Sequence, residues 1–590
     1  MVLLIGACGG SSSKGGTGKT TDTKAGSAAP SKDGLSGVVT DTSKPTPGGS
    51  MTVSIEAETA TGYCLPEATL AAGGLQTARA IYDYLTVPDK DGNYVPYLAD
   101  KVTPNADFTS WSIHVRPGIK FSDGSPLDAQ VVMNNLNAYR GNFPEHTVLL
   151  FKFVFQNITN ITMVDNMTVK VDMAKPWVTF PSHLYQYGRL GIMGQAQLDS
   201  KKNCAKNLVG TGPFELKKQS DWVVGNQMTL TKNPNYWRKD KDGQQLPYLD
   251  TLIYKPTPDP SVVTNGLQSH AFDLAVTDST DVMYDLKSSV DGGQLSMLQS
   301  AAHPEVTYTI FNTRIAPFNN ILAREAYAYA YNKPLYNQIR QHSLLTEASG
   351  PFGPGTLGYL PKTDLPSFNL TKAKSLVQQY KTQTGKDLSF TLTIPDDPAS
   401  VQSAQVVQGF MKAAGITMQL HAEEQQKQIG DVIYAGLTPN TYQASAWRNH
   451  PGFDPDDQYV WWHCDKPPAN QMGATNTANG PATQFGNNCD NLVNFTGFND
   501  SIINQNLEAG RETADLKARE TAYNAINQEF AKQVWSAWGY YTLWSIPAQT
   551  NVRGLLGPNL PTATSPNATG AEPFTGLSSG TDVSGLWKKN

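Results

Sequence analysis

From Met51 onward the hydrophobic residues switch repeatedly between a period of two and a period near 3.6. That alternation restricts the chain to layered α/β folds. Residues 51–58 (MTVSIEAE) and 108–115 alternate as strands, and so do 228–230, 249–254, 388–394 and 416–421. Residues 158–171 read as two short strands around Asp165-Asn166-Met167. Helical spacing covers 70–85, 127–140, 323–331, 372–380, 401–414 and the long stretch 502–533. The helix 401–414 stops before Gly415, and Asp123-Gly124 marks a turn. No repeat of solenoid length interrupts the pattern.

Composition adds exclusions. The 590 residues are 39% hydrophobic, enough for sizeable cores and too many for a disordered chain. The length suits about three to four domain-sized units. Lys and Arg total 46 against 51 Asp and Glu, a formal charge of −5. A nucleic-acid partner calls for a basic excess or stripe, and neither is present. Tyr (25) and Trp (11) are plentiful, which points to aromatic-lined surfaces.

The start, MVLLIGACGGSSS, places Cys8 after a short apolar run. Ile5-Gly6-Ala7-Cys8 resembles the lipobox of bacterial lipoproteins, so Cys8 is the expected lipidation site. Only seven residues precede it and none is basic, so 1–8 reads as a truncated signal. Residues 9–50 contain no aromatic residue and read as a flexible tether of 42 residues, with a reach of about 35 Å. Their GGTGKT stretch lacks the first glycine of a phosphate-binding loop, because Ser13 stands there. Without Cys8 four cysteines remain: Cys64, Cys204, Cys464 and Cys489. Three pairings are possible. The Pro/Asn/Gly/Thr-rich loop between Cys464 and Cys489 favours that bridge, which leaves Cys64 with Cys204. His463-Cys464 lacks the second close ligand that a metal site needs, so no metal is expected.

Several segments, taken in order, resemble the extracellular solute-binding proteins of family 5, which serve dipeptide, oligopeptide and nickel ABC importers. YLADKVTPNADFTSWSIHVRPGIKFSDGSPLDAQVVMNNL (97–136) is similar to the family signature. It is followed by GTGPFEL (210–216), LTKNPNYW (230–237), YLDTLIYKPTPDP (248–260) and FNTRIAPFNNILAREAYAYAYNKPLY (311–336). PFGPGTLGY (351–359), AWRNHPGFDPDDQY (446–459) and WGYYTLWSIPAQTNVRGL (538–555) complete the set. Read singly, most of these pieces are turn chemistry or packing aromatics.

The resemblance implies a type II periplasmic-binding-protein fold, α/β, with two lobes, a hinge and an extra subdomain inserted in lobe one. Mapped onto this chain, lobe one covers 51–302, with the insertion at about 86–206. Lobe two covers 303–534, and 535–590 return to lobe one, with hinges near 303–307 and 534–539. It implies capture of an oligopeptide or peptide-like solute by lobe closure and delivery to an ABC permease with its ATPase subunits. The protein would be a monomer without cofactor, outside the cytoplasm, held to the bacterial cell membrane by lipid alone.

In peptide-binding members an Asp shortly after a Trp pairs with the ligand's α-amine. Trp447 matches that Trp, then come Arg448 and Asn449, and His450 stands where the Asp is expected. Asp454 is the candidate replacement through a shifted loop, and Arg448 the candidate anchor for a ligand carboxylate. Tyr63, Cys64 and Leu65 match the segment whose backbone pairs with peptide, and Tyr540 and Tyr541 fall near a cleft-facing Tyr. The alternative ligands on this fold are a metal chelate, a haem-like molecule or an oligosaccharide; a ligand-sensing surface lipoprotein is the alternative of another class. No G-x-S-x-G, H-E-x-x-H or comparable set supports an enzyme.

Overall fold

The computed structural model describes residues 34–59, 61–144, 146–148, 150–433, 441–449, 452–464, 493–578 and 580–590. Lobe one is built on a nine-stranded sheet. At its centre Ser50–Ile55 runs parallel to both Thr251–Pro256 and Leu274–Val276. Trp544–Gln549 inserts antiparallel between Leu274–Val276 and Leu295–Ser300. Val53 and Ile55 are buried, as a central parallel strand requires. Lobe two is built on a six-stranded sheet. There Val306–Phe311 lies antiparallel between Ser536–Tyr541 and Ala444–Asn449. Ser389–Pro395 is parallel to both Ala444–Asn449 and Thr417–Glu423.

The insertion carries a four-stranded antiparallel sheet of Ala99–Pro104, Ser110–Val115, Thr168–Met173 and Ile158–Asp165. In Ser110–Val115 the buried positions are Trp111, Ile113 and Val115, the period of two seen in the sequence. The strand starts two residues later than the pattern predicts, because Phe108 sits at φ 58°, outside strand geometry. Helix ends follow their caps. Asp128 accepts from Val131 N and starts Ala129–Tyr139; Asp397, with Pro398 behind it, starts Pro398–Ala413. The predicted stretch 502–533 is two helices, Ser501–Glu512 and Leu516–Gln533, because Asp515 caps a fresh start. No helix among the described residues is long and apolar enough to cross a membrane.

Two mapped boundaries shift. The chain leaves lobe one between Ser300 and Val306, close to the mapped first hinge, and His303 bends it there at φ 43°. It returns between Tyr541 and Trp544, not at 534–539. Ser536–Tyr541 is a full strand of the lobe-two sheet, and Val534 is the left-handed cap that ends the preceding helix. The tether also ends earlier than expected. Leu35–Ser36 pairs with the edge strand Leu295–Ser300, and Asp41 binds Arg553 (2.6 Å) and Lys589 (3.0 Å). Residues 34–50 therefore belong to lobe one; Cys8 lies outside the described residues.

Candidate functional site

A cavity of about 910 Å³ lies between the lobes. Its polar wall is supplied largely by residues that follow the carboxyl ends of strands, the usual place for ligands in α/β sheets. Glu56 follows Ser50–Ile55, Asp278 follows Leu274–Val276, and Asp396 follows Ser389–Pro395. Its apolar wall includes Tyr327, Tyr331, Tyr336, Trp447, Trp461 and Phe495.

Arg448, from the lobe-two strand Ala444–Asn449, crosses to lobe one on the wall of this cavity. Its Nη2 donates to Glu56 Oε1 and its Nη1 to Asp278 Oδ2, each at 2.6 Å. Its Nε lies 2.9 Å from Glu305 Oε2. The guanidinium also sits over the Trp544 ring at 5.1 Å. Three carboxylates around one cation leave a formal excess of two negative charges. Glu56 responds. Burial pushes its carboxyl up to about 7, with Arg448 pulling it down and Asp278 pushing it further up. Arg448 is held above the ordinary arginine range: burial opposes its charge, but Asp278, Glu305 and Glu56 outweigh burial. Glu305 ties this cluster to the crossings between lobes. Its carbonyl accepts from Thr542 N at 3.0 Å and its carboxylate from Trp544 Nε1 at 2.8 Å.

The lobes also meet on both flanks of the cavity. On one side Asp281 of lobe one takes His342 Nε2 at 2.7 Å and lies 3.5 Å from Arg340 Nη2, both of lobe two. Tyr284 stacks on the His342 ring at 4.2 Å, and Thr280 Oγ1 donates to Gln341 Oε1 at 2.8 Å. On the other side the insertion grips the 452–464 segment. Trp177 Nε1 donates to Asp456 Oδ2 (3.0 Å), Tyr94 OH to Asp457 Oδ2 (3.1 Å), and Gln186 Nε2 to the Asp457 carbonyl (3.1 Å).

Of the residues singled out in the sequence, Trp447, Arg448 and Tyr540 line the cavity. Trp447 is half-buried, edge-on to Phe495 at 5.5 Å. Arg448 already contacts three carboxylates, so a ligand carboxylate would compete with them for it. Asn449 ends its strand opposite Val306. His450 lies outside the described residues.

The other candidates sit away from the cavity. Asp454 is held by Arg519 Nη2 at 2.6 and 2.7 Å and is not on the cavity wall. The ion pair makes it part of the lobe-two framework. Tyr541 turns to the opposite side of its strand from Tyr540, and its OH donates to the Phe352 carbonyl at 3.0 Å. Tyr63, Cys64 and Leu65 are buried in lobe one. The Tyr63 carbonyl already accepts from Gln197 Nε2 at 2.9 Å, and its N–H donates to Ala205 O at 3.0 Å. The backbone facing the cavity is the earlier stretch from Glu56 to Thr59.

Cys64 and Cys204 form a disulfide. His146 Nδ1 lies 3.6 Å from Cys64 Sγ, but the bridge consumes both thiolates that a metal would need. Cys464 is disulfide-bonded as well, and Cys489 lies outside the described residues. The sequence reading missed Glu56, Asp278 and Glu305. The visible signal for the first two is an acidic residue directly after, or one place beyond, an apolar strand pattern.

Comparisons with known proteins agree with this architecture. The family model of the bacterial extracellular solute-binding proteins, family 5 Middle, matches residues 93–471. A probable ABC transporter-binding protein of Deinococcus radiodurans is 26% identical over 374 residues, which cover 56% of this chain and 61% of that protein. The match thus spans less than two thirds of that relative. The glutathione-binding protein GsiB of Pectobacterium atrosepticum is 25% identical over 363 residues, covering 61% of this chain and 67% of that one. The oligopeptide-binding protein AppA of Bacillus subtilis, solved in complex with a nonapeptide, superposes with a TM-score of 0.74 at 19% identity. That superposition covers 93% of this chain and 100% of the other. Two lobes, a double crossing, a cavity walled by both lobes and a family match running from the insertion into lobe two lead to one statement: the chain belongs to the bacterial extracellular solute-binding proteins, family 5.

Proposed function

We propose that this protein captures a peptide-like solute between its lobes outside the cytoplasm and hands it to the permease and ATPase subunits of an ABC importer. The observation that carries the reading is the cavity of about 910 Å³ with walls from both lobes and an ion-pair cluster spanning them. That volume lies at the upper end of the range for small-molecule pockets, about 300–1,000 Å³. It admits a short peptide or a solute of similar size. Aromatic walls supply contact area, and charged groups at strand ends fix orientation. The glutathione-binding and oligopeptide-binding relatives support a peptide-like ligand. Anchoring through Cys8 belongs to the same proposal, with the protein acting as a monomer.

No His or Cys is among the described residues that wall the cavity. The described wall therefore offers a metal chelate oxygen donors and no imidazole or thiolate. The test is native mass spectrometry of protein purified without added ligand, followed by calorimetry with glutathione and a mixed di- to pentapeptide pool. A retained mass that fragments as a peptide, or saturable heat from the pool, is the expected result. A retained non-peptide molecule, with no heat from any peptide, overturns the peptide reading.

A further inference from the structure

Arg189 walls the same cavity from the insertion and is about nine-tenths buried, at 9% relative exposure. Its surroundings contrast with those of Arg448. No carboxylate of the described residues pairs with it. Nη2 donates to the Leu70 carbonyl at 3.2 Å, and the buried Nε has no partner. A guanidinium carries five N–H donors in a fixed fork, so this one is largely unmatched. Burial pulls its pKa down to about 10, which still leaves it charged at neutral pH. Glu305 and Asp457 attract it from beyond ion-pair distance, so the buried cation has no directly paired carboxylate, which is costly.

The Leu70 carbonyl that holds Arg189 stands just before the helix Ala72–Ile81. The N-terminus of this helix also lines the cavity, through Ala71 and Ala72. Ala71 supplies no side-chain cap, and the first turn contains no acidic residue. The N–H groups of Ala72, Gly73 and Gly74 have no acceptor within the helix. Gly73 presses the helix end against the segment after Ser50–Ile55: a Cβ there would lie 2.0 Å from the Ala57 carbonyl oxygen. A Cβ at Gly74 would touch Thr59 Cβ at 3.3 Å. Thr59 lines the cavity too, is 3% exposed, and its Oγ1 has no hydrogen-bond partner. A guanidinium with an unpartnered Nε, an uncapped helix N-terminus and a hydroxyl without a partner thus meet in one corner. All three are donors, and the helix dipole adds to their sign.

We propose that this corner, formed by Arg189, Thr59 and the N-terminus of Ala72–Ile81, receives an anionic oxygen group of the ligand, and that the group is a carboxylate. The polar wall is then two-signed. The Glu56–Asp278 cluster carries excess negative charge, and the Arg189 corner carries positive charge. A peptide with free ends, which has one group of each sign, suits that division. The proposal refines the peptide reading, and its test includes an arm that does not depend on peptides.

In the first arm, acetate and inorganic phosphate are titrated against chloride at constant ionic strength, with the melting temperature as readout. The wild type should be stabilised by the oxyanions and Arg189→Gln should not. Ala71→Asp places a carboxylate at the helix end itself. It should melt above the wild type and lose the oxyanion response. This variant keeps the test decisive should Arg189→Gln fail to fold. Equal oxyanion responses in the wild type and Arg189→Gln, or an intact response in Ala71→Asp, overturn the proposal. A response to phosphate alone assigns the corner to a phosphorylated solute and overturns the carboxylate assignment.

In the second arm, a mixed tripeptide pool is offered as free acids and as C-terminal amides. The acids should bind about tenfold or more tightly, and Arg189→Gln should remove the difference. Acids and amides that bind the wild type equally overturn the assignment to a carboxyl end. An oxyanion response that Arg189→Gln abolishes, with no peptide of either form bound, keeps the anion corner and overturns the peptide reading instead.

Discussion

Arg448 Nη2 reaches from the lobe-two sheet to within 2.6 Å of Glu56 Oε1 in lobe one. This ion pair spans the cleft at the cavity wall, and Asp278 and Glu305 share the same guanidinium. Arg448→Met should therefore leave three neighbouring carboxylates uncompensated. It should lower stability by about 3–5 kcal/mol and enlarge the radius of gyration, as the lobes separate. Thermal unfolding and small-angle scattering check both parts. A variant with unchanged melting and unchanged scattering would remove Arg448 as an interlobe tie.

The same cluster makes stability depend on pH. Glu56 is held at about 7, above its ordinary 4.5. Between those values the folded protein keeps a proton that the unfolded chain releases, so this group's contribution falls as pH rises through the window. Glu56→Gln should flatten that part of the profile. Melting temperatures measured from pH 5 to 8 for both proteins should converge at the acid end and separate toward neutrality, with Glu56→Gln the more stable.

Asp454→Ala separates framework from site. Asp454 is held at 2.6 and 2.7 Å by Arg519, whose side chain is 7% exposed. Its loss should cost about 3 kcal/mol of stability. Ligand affinity by calorimetry should be unchanged at a temperature where the variant is folded. A tenfold weaker affinity in the folded variant would restore Asp454 as a ligand anchor.

The Cys64–Cys204 bridge spans 140 positions within lobe one. In the chain-entropy model a loop of that length contributes about 5 kcal/mol, and less where native strain intervenes. Replacing both cysteines by serine should lower the melting temperature. Cavity binding should persist, because neither residue lines the cavity.

Trp447 is half-buried on the cavity wall against Phe495. Ligand binding should change the intrinsic fluorescence, and Trp447→Phe should reduce that change. An undiminished signal in the variant would assign it to Trp461 or another tryptophan.

Much of the fold was legible because it rests on local signals. The period of two in Ser110–Val115 and the stop of the helix Pro398–Ala413 just before Gly415 are local signals, whereas the start of that helix at Asp397-Pro398 lies three residues ahead of the predicted 401. Phe108 at φ 58° was not legible, since nothing in its side chain announces a left-handed backbone. The site was less legible because its members meet only after the sheets assemble. Glu56 and Arg448 are 392 positions apart in sequence. Trp447 and Tyr540 were found through the family resemblance, which marks a neighbourhood. Which face of a strand points into it was left open, and Tyr541 fell on the other side. Tyr63–Cys64–Leu65 lie off the cavity wall for a physical reason: the disulfide and the Gln197 hydrogen bond hold that segment inside the lobe.

Glu305 stands where the chain passes from one lobe to the other, bonded to the returning strand through Thr542 and Trp544 and to the cavity through Arg448. Under the proposed capture by lobe closure, occupancy of the cavity and the angle between the lobes would share this one contact. A solute that redirects the Arg448 guanidinium acts on the pivot through a single carboxylate. Under the proposed capture by lobe closure, charge at the crossing would then bear on closing as well as contacts at the rim.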